Sequence, residues 1–576
     1  MKSSRSVSSR FRRTAVRANL GVETLEKRNL LARMLMDSPL SMLGQVEDKH
    51  GDWAAIDSSL VATHEQFQLA TGITGTASRA RASQTTTSDD LVLVELVAKP
   101  VSTSSSPTPP AVDNEMLAKG TEKLRADLAP LDIRIVGTSR TGVTAAVHAA
   151  DLPKIAALPS LRFAHSSTPV SNRGLVVSQG DQAMRSDIAR SLYENDGGGY
   201  NGSAPITVGV LSDSYNHEYL FSPFIPNASD DVASGDLPAD SIILKDGYGV
   251  DEGRAMMQLV ADVAPEARLA FHTAFEGQAC FAEGIRRLAN EAQADVLVDD
   301  VSYLEEPMFQ ESLITQAIDE VASKGVAYFS SAGNRGRLSY ESPYRNSGLL
   351  DPYTGGLQHD FDPGPGQDVF QQINVPVGTG FALSLQWDSP FYSVSPESGG
   401  TKNDVDIVMY DASGSIALAG SVANNLGNDA YEIFQFFNDG RFGDQTTFNL
   451  SIAYFAGEVP TYLKYVMYEF VPNSVLDIVD FDTQSGTVYG HALAKGAEAV
   501  GAAYYLQTPR FGASLPVVEP FSSAAGSPDG QVTPQFFDRL GQRLPTPVRP
   551  VNRLGLVAPD GTNNTFFGKK IGRAHV

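Results

Sequence analysis

From Ile206 onward, short and nearly continuous apolar runs (TVGVLS, SIILK, RLAFHTA, ADVLVDD and GVAYFSS) are separated by amphipathic stretches such as EGRAMMQLVADV, CFAEGIRRLANEA and ESLITQAIDEVASK. Strands that are apolar on both faces need cover on both sides, and the intervening helices supply it. The spacing therefore predicts an α/β domain with a parallel sheet and helices on both faces. The active site of such a sheet lies at the carboxyl ends of its strands. Around Ser342 the helical signal stops. Until about Tyr468, alternating segments (FALSLQW, DVDIVMY, TFNLSIAYF, TYLKYVMYEF) set among Gly, Pro and Asp predict an inserted antiparallel β-sandwich over 342–480. HALAKGAEAVGAAYY then restores the α/β pattern, with His491 at the start of a helix. The large domain is thus expected in two parts, 178–341 and 481–570.

Upstream, LVLVELVA, a helical stretch from Asn114 to Leu128, DIRIVG, TGVTAAVH, DLPKIAAL and LRFAHS give the order strand, helix, strand, strand, helix, strand. A small α+β unit is predicted over 90–170. The runs TGITGTASRARASQTTTSDD and KPVSTSSSPTPP are too rich in Ser, Thr and Pro to fill a core, and the 41–89 region is read as low-complexity linker.

Composition narrows the classes. A chain of 576 residues exceeds the size at which one core stops growing, and 42% apolar against 19% charged residues is a folding composition. The formal charge of −23 repels phosphate backbones, so no nucleic-acid partner is expected. The single cysteine, Cys280, rules out an intrachain disulfide and a Cys-rich zinc cluster, and its helical setting predicts a small buried apolar residue. No apolar window is long enough for a spanning helix. The first 37 residues reverse the charge balance, with nine Lys or Arg against three acids. Residues 1–40 are therefore read as a targeting segment, although the apolar region of an ordinary signal peptide is missing. VETLEKRNLLA (Val22–Ala32) resembles a short motif near the start of many large exported bacterial proteins, which implies an extracellular or cell-surface location.

Three strand ends carry polar residues that a plain sheet does not need. Asp213 closes TVGVLSDS, Glu252 opens the helix in DEGRAMMQLVADVAP, and Asn334 follows GVAYFSSAGN. Taken singly, each has a structural reading as a turn residue or a helix-terminus residue; their order within one α/β pattern favours a site. At these residues the sequence resembles the subtilisin and sedolisin serine peptidases, over roughly Ser178 to Gly568 apart from the insert. The resemblance implies a subtilisin-like sheet with Asp213 as the triad acid, Asn334 as the oxyanion donor and Glu252 where subtilisins have the catalytic His. A Glu there is the sedolisin arrangement. Sedolisins, however, carry a second acid where this chain has Met256, and an Asp where it has Asn334, so the site is a hybrid. Asp299 and Asp300, at the end of VLVDDVSY, are alternative acid partners. Ser302 and Gly333 resemble substrate-lining positions, and His491 is read as a surface or packing residue that could titrate nearby.

A Glu base suits a Ser nucleophile held beside oxyanion donors, and a carboxylate relay works best below neutrality. In the family the serine lies in a GTSxxxP segment after a VAP-type strand end. LVAPDGTNNTFFG (Leu556–Gly568) supplies the lead-in, but no GTSxxxP occurs, so the chain as written is expected to lack the nucleophile. The closing IGRAHV (571–576) is what a common sequencing adapter would encode and is read as an artefact. The resemblance also implies that the 90–170 unit is a propeptide that assists folding and occludes the cleft. The expected function is an exported serine-type peptidase, probed by protein or peptide substrates and monomeric. The alternatives are a non-catalytic relative binding protein or polysaccharide, and a glycosidase-type carboxylate pair. No cofactor and no metal cluster are assigned. The Asp-rich loops SDDVASGDLPAD and HDFDPGPGQD do not fit an EF-hand and are read as solvated turns, with structural calcium as the alternative.

Overall fold

The computed structural model describes most of 53–68, then 91–101, 112–171, 179–217, 227–471, 475–551 and 554–564, with short gaps inside these ranges. The expected targeting segment, most of the 41–89 linker, the Pro-rich run after Val101 and the closing IGRAHV lie outside the described residues.

The apolar runs form a seven-stranded parallel sheet. Across it the strands run Leu556–Asp560, Ala497–Tyr504, Ala327–Ser331, Val296–Asp299, Thr207–Ser212, Arg268–Thr273 and Ile242–Lys245. Alternate side chains of the interior strand Thr207–Ser212 serve opposite faces. Leu211 joins Phe281, Ile285, Ile314 and Ile318 of the helices Gln278–Asn290 and Leu313–Ala322. Val208 and Val210 join Met256 and Met257 of the helix Glu252–Val263. The chain leaves Thr207–Ser212 toward one edge and Val296–Asp299 toward the other, so the order reverses between these two neighbours. Such a reversal opens a crevice at the carboxyl ends of the strands.

One expectation is corrected here. His491 begins only a short 3-10 turn, Gly490–Leu493, and AEAVGAAY is a strand. Ala497, Ala499, Gly501 and Ala503 are its buried, alternate positions. Small side chains on that face fit a strand hydrogen-bonded on both sides, and this tertiary setting overrides the helix preference of alanine.

Residues 339–469 supply two antiparallel sheets with a shared core. Ser339–Pro343, Thr379–Trp387, Tyr431–Asn438 and Tyr462–Glu469 make one sheet; the other includes Asn403–Tyr410, Ala417–Ser421 and Thr447–Gly457. Trp387, Phe381, Leu383, Ile407, Leu450 and Tyr465 fill the space between them. Farther upstream, Leu91–Ala98, Arg134–Thr138, Gly142–His148 and Leu161–Ser166 form an antiparallel sheet, with the helix Asn114–Leu128 packed on it through Leu124 and Leu128. This unit touches the edge strand Ile242–Lys245 of the parallel sheet, where Lys245 Nζ donates to Val136 O at 3.2 Å, and the region of the antiparallel sheets, where Arg140 pairs with Glu397 at 2.9 Å.

Candidate functional site

Asp213 follows the strand Thr207–Ser212 and is fully buried. Its carboxylate meets the start of the Glu252–Val263 helix: Oδ1 accepts from Glu252 N at 2.9 Å and Gly253 N at 3.4 Å, and Oδ2 accepts from Val250 N at 2.7 Å. Ser214 N, donating to Oδ1 at 2.5 Å, is the fourth donor to the carboxylate. The first N–H groups of a helix lack intrahelical acceptors, and here the missing acceptor comes from a neighbouring strand. The helix's own preceding acid, Asp251, has a left-handed φ of 62° and turns elsewhere. It receives Ser214 Oγ at 2.9 Å and Arg254 Nη2 at 2.8 Å, while Arg254 also pairs with Asp231. The loop before the helix must pass very close to Asp213. A Cβ on Gly249 would lie 2.3 Å from Asp213 Oδ2.

Glu252 is buried in the first turn of this helix, beside the backbone that Asp213 holds. Met256, one turn on, sits in the apolar layer with Val208, Leu269 and Phe271. A carboxylate in place of Met256 would enter an apolar core.

The neighbouring strand ends bring further candidates to the same edge of the sheet. Leu211 is in register with Asp299, and Asp299 with Ser330, so Asp213, Asp300 and Asn334 follow three adjacent strands. Asn334 Nδ2 is buried without a hydrogen-bond partner among the described residues. Gly333 has φ of 90°, and a Cβ there would lie 2.3 Å from Arg335 Nη2. Arg335 in turn reaches Ser302 Oγ at 3.4 Å and lies over the Tyr468 ring at 4.8 Å. Ser302 belongs to the short strand Val301–Tyr303, which pairs antiparallel with Pro169–Ser171, the continuation of the N-terminal unit. An extended segment of the chain therefore lies along the strand that carries Ser302.

His491 is buried and lies between two acids, with Nδ1 2.7 Å from Glu306 Oε2 and Nε2 3.2 Å from Asp299 Oδ1. Burial opposes its charge, but Glu306 and then Asp299 outweigh that and hold its pKa at about 10. Asp299 also accepts from Ser330 Oγ at 3.0 Å, and Glu306 from Ser312 Oγ at 2.5 Å. His491 is thus neither a surface residue nor a simple packing residue, and Asp299 is committed to it. Glu305, Glu306 and Arg335 were not singled out from the sequence. In YLEEPM the two acids read as an ordinary solvated pair after a strand, and nothing local marks their burial.

Apart from Asp231, which pairs with Arg254, the two Asp-rich loops offer local acceptors. Asp230 completes a capping box with Asn227, and Asp360 Oδ1 receives Asp362 N at 3.1 Å and Asp368 N at 2.9 Å. Cys280 is buried, and burial pushes its thiol up to about 11 despite Lys245 Nζ at 3.2 Å. Among the described residues no helix is long and apolar enough to cross a membrane.

No family model matches the chain, and no curated protein matches it. Among solved structures, the epidermin leader peptide processing serine protease of Staphylococcus aureus is 11% identical with a TM-score of 0.24, the match covering 43% of this chain and 61% of that one. The match thus spans less than two thirds of that protease. AlgX of Pseudomonas aeruginosa is 13% identical with a TM-score of 0.15, covering 53% of this chain and 60% of that one. A Lactobacillus plantarum protein is 12% identical with a TM-score of 0.13, covering 46% of this chain and 98% of that one. What stands on the coordinates themselves is a mixed α/β protein with a seven-stranded parallel sheet and separate antiparallel sheets.

Proposed function

We propose that the crevice at the carboxyl ends of the parallel strands is the site of an exported serine-type peptidase of the subtilisin and sedolisin kind. Glu252 is the base, Asp213 its partner and Asn334 the donor to the oxyanion; Ser302 and Gly333 line the substrate cleft. The observation that carries this reading is the antiparallel pairing of Pro169–Ser171 with Val301–Tyr303, register Val170 to Ser302. A peptidase cleft binds its substrate as an added strand, with main-chain hydrogen bonds supplying affinity. The N-terminal unit places its own chain in that position, as a propeptide would. The nucleophilic serine of the family's GTSxxxP segment is absent from the sequence, so acyl transfer is assigned to a protein that has it.

A second reading, a non-catalytic relative that binds protein or polysaccharide, is favoured by Asp213. Its oxygens receive four backbone N–H groups, which suits an anchor for the helix as well as a catalytic acid. Casein cleavage by the protein expressed from its genomic locus separates the two, assayed between about pH 3 and 8 with Glu252→Gln alongside. Cleavage that is strongest in acid and lost in Glu252→Gln supports the peptidase. An inert protein, or an equally active variant, leaves the binder.

A further inference from the structure

Three buried carboxylates meet where the chain passes from one antiparallel sheet to the other. Asp404 and Asp406 lie on Asn403–Tyr410, Glu432 opens Tyr431–Asn438 in the opposite sheet, and one ligand oxygen from each lies within 4.8 Å of the others. All three residues are at most 1% exposed. Two oxygens bound to one calcium ion at about 2.4 Å are at most about 4.8 Å apart, so each pair in this set meets the spacing that a shared ion requires. Ionised carboxylates at that spacing in a water-poor interior repel one another, and the repulsion is relieved by shared protons or by a cation.

A separate observation favours the cation. Asn425, in the connection between the sheets, is 5% exposed. Its backbone N donates to Asp404 Oδ1 at 3.3 Å and its Nδ2 to the carbonyl of Tyr431, the residue before Glu432, at 2.9 Å, which ties Asn425 to both strands that carry the cluster. The remaining oxygen, Oδ1, is buried and has no hydrogen-bond donor among the described residues. A buried neutral amide oxygen next to a proton-sharing cluster would be expected to take a hydrogen bond, whereas a calcium ion uses it as a ligand. We infer that Asp404, Asp406, Glu432 and Asn425 Oδ1 form a calcium site that fastens the two antiparallel sheets to each other.

Trp387 offers a direct reporter, because its Nε1 donates at 2.8 Å to Asn403 Oδ1, one residue from Asp404. Terbium is the probe, added to the chelator-treated full chain with excitation of tryptophan. The expected result is sensitised emission at one ion per chain that calcium displaces, and a melting midpoint that rises when calcium is restored. Asp406→Asn and Glu432→Gln should each lose the displaceable emission, while Trp387→Phe should lose the emission but keep calorimetric calcium binding. Near-ultraviolet circular dichroism identifies which of the two carboxamide variants is folded, and the folded one decides. Emission unchanged in a folded carboxamide variant overturns the site. So does a wild-type melting midpoint indifferent to calcium and rising as pH falls, which would mean shared protons.

Discussion

His491 Nδ1 lies 2.7 Å from Glu306 Oε2 in the interior, joining the 3-10 turn after the antiparallel sheets to the segment that follows the strand Val301–Tyr303. With Asp299 on the other ring nitrogen, the imidazolium closes a buried three-residue network beneath the candidate site. Breaking it removes a charge on which two buried carboxylates depend.

The folded pKa of His491, about 10, exceeds the roughly 6.5 of an unfolded histidine. The folded state therefore binds the extra proton between these values. The stability it contributes is fully present below about pH 6.5 and is lost as pH rises toward 10. Urea unfolding at pH 6, 8 and 10 should show a decline on the order of a few kcal/mol that is flattened in His491→Gln. The variant should also be less stable than wild type at pH 6. An equal slope in both proteins would refute the pairing.

How far the sequence reaches depends on whether a signal is periodic or three-dimensional. The runs around Val210, Phe271, Leu297 and Tyr328 are apolar on both faces and announce the parallel sheet directly. Asp213 and Asn334 were legible because they end such runs, where polar residues serve no packing purpose. His491 and Glu306 are 185 residues apart, and nothing near either one encodes their meeting. Ala497–Tyr504 carries the opposite ambiguity, since its small residues satisfy a helix pattern and a two-sided strand equally, and only the neighbours Ser330 and Ala558 on adjoining strands decide.

Asp213 anchors the Glu252 helix from outside. Asp213→Ala deprives Ser214, Val250, Glu252 and Gly253 of their shared acceptor in a dry site, for a loss of about 2–4 kcal/mol in denaturant unfolding. Asp213→Asn, which keeps one acceptor oxygen, should lose less. Gly249→Ala should be destabilising by about 1–3 kcal/mol through the Cβ contact alone, with no change in charge. Wild-type stability in all three would remove the anchor.

His359 gives an acid-side counterpart. Burial first, then the Arg345 charge, press its pKa down to about 3, and its Nδ1 accepts Arg345 N at 3.1 Å. Protonating Nδ1 would break that bond. The unfolded state binds more protons between about 3 and 6.5, so stability falls as pH drops through this window. His359→Gln should lessen the pH dependence there while lowering stability at neutral pH, read by thermal unfolding between about pH 3.5 and 7. A protein whose midpoint is flat over that range would contradict a neutral, buried imidazole.

Asn334 separates a catalytic from a structural role more sharply than either acid. Its Nδ2 has no hydrogen-bond partner among the described residues, so Asn334→Ala should change unfolding stability by less than about 0.5 kcal/mol. If that nitrogen is aimed at an oxyanion, the same substitution in a serine-bearing protein should cut kcat by about 10²–10³ with little change in KM, because the bond is made only as charge develops. The split between kcat and KM is the informative reading. A large stability loss would assign Asn334 to holding the SSAGN loop, and unchanged kcat in an active protein would place the oxyanion elsewhere.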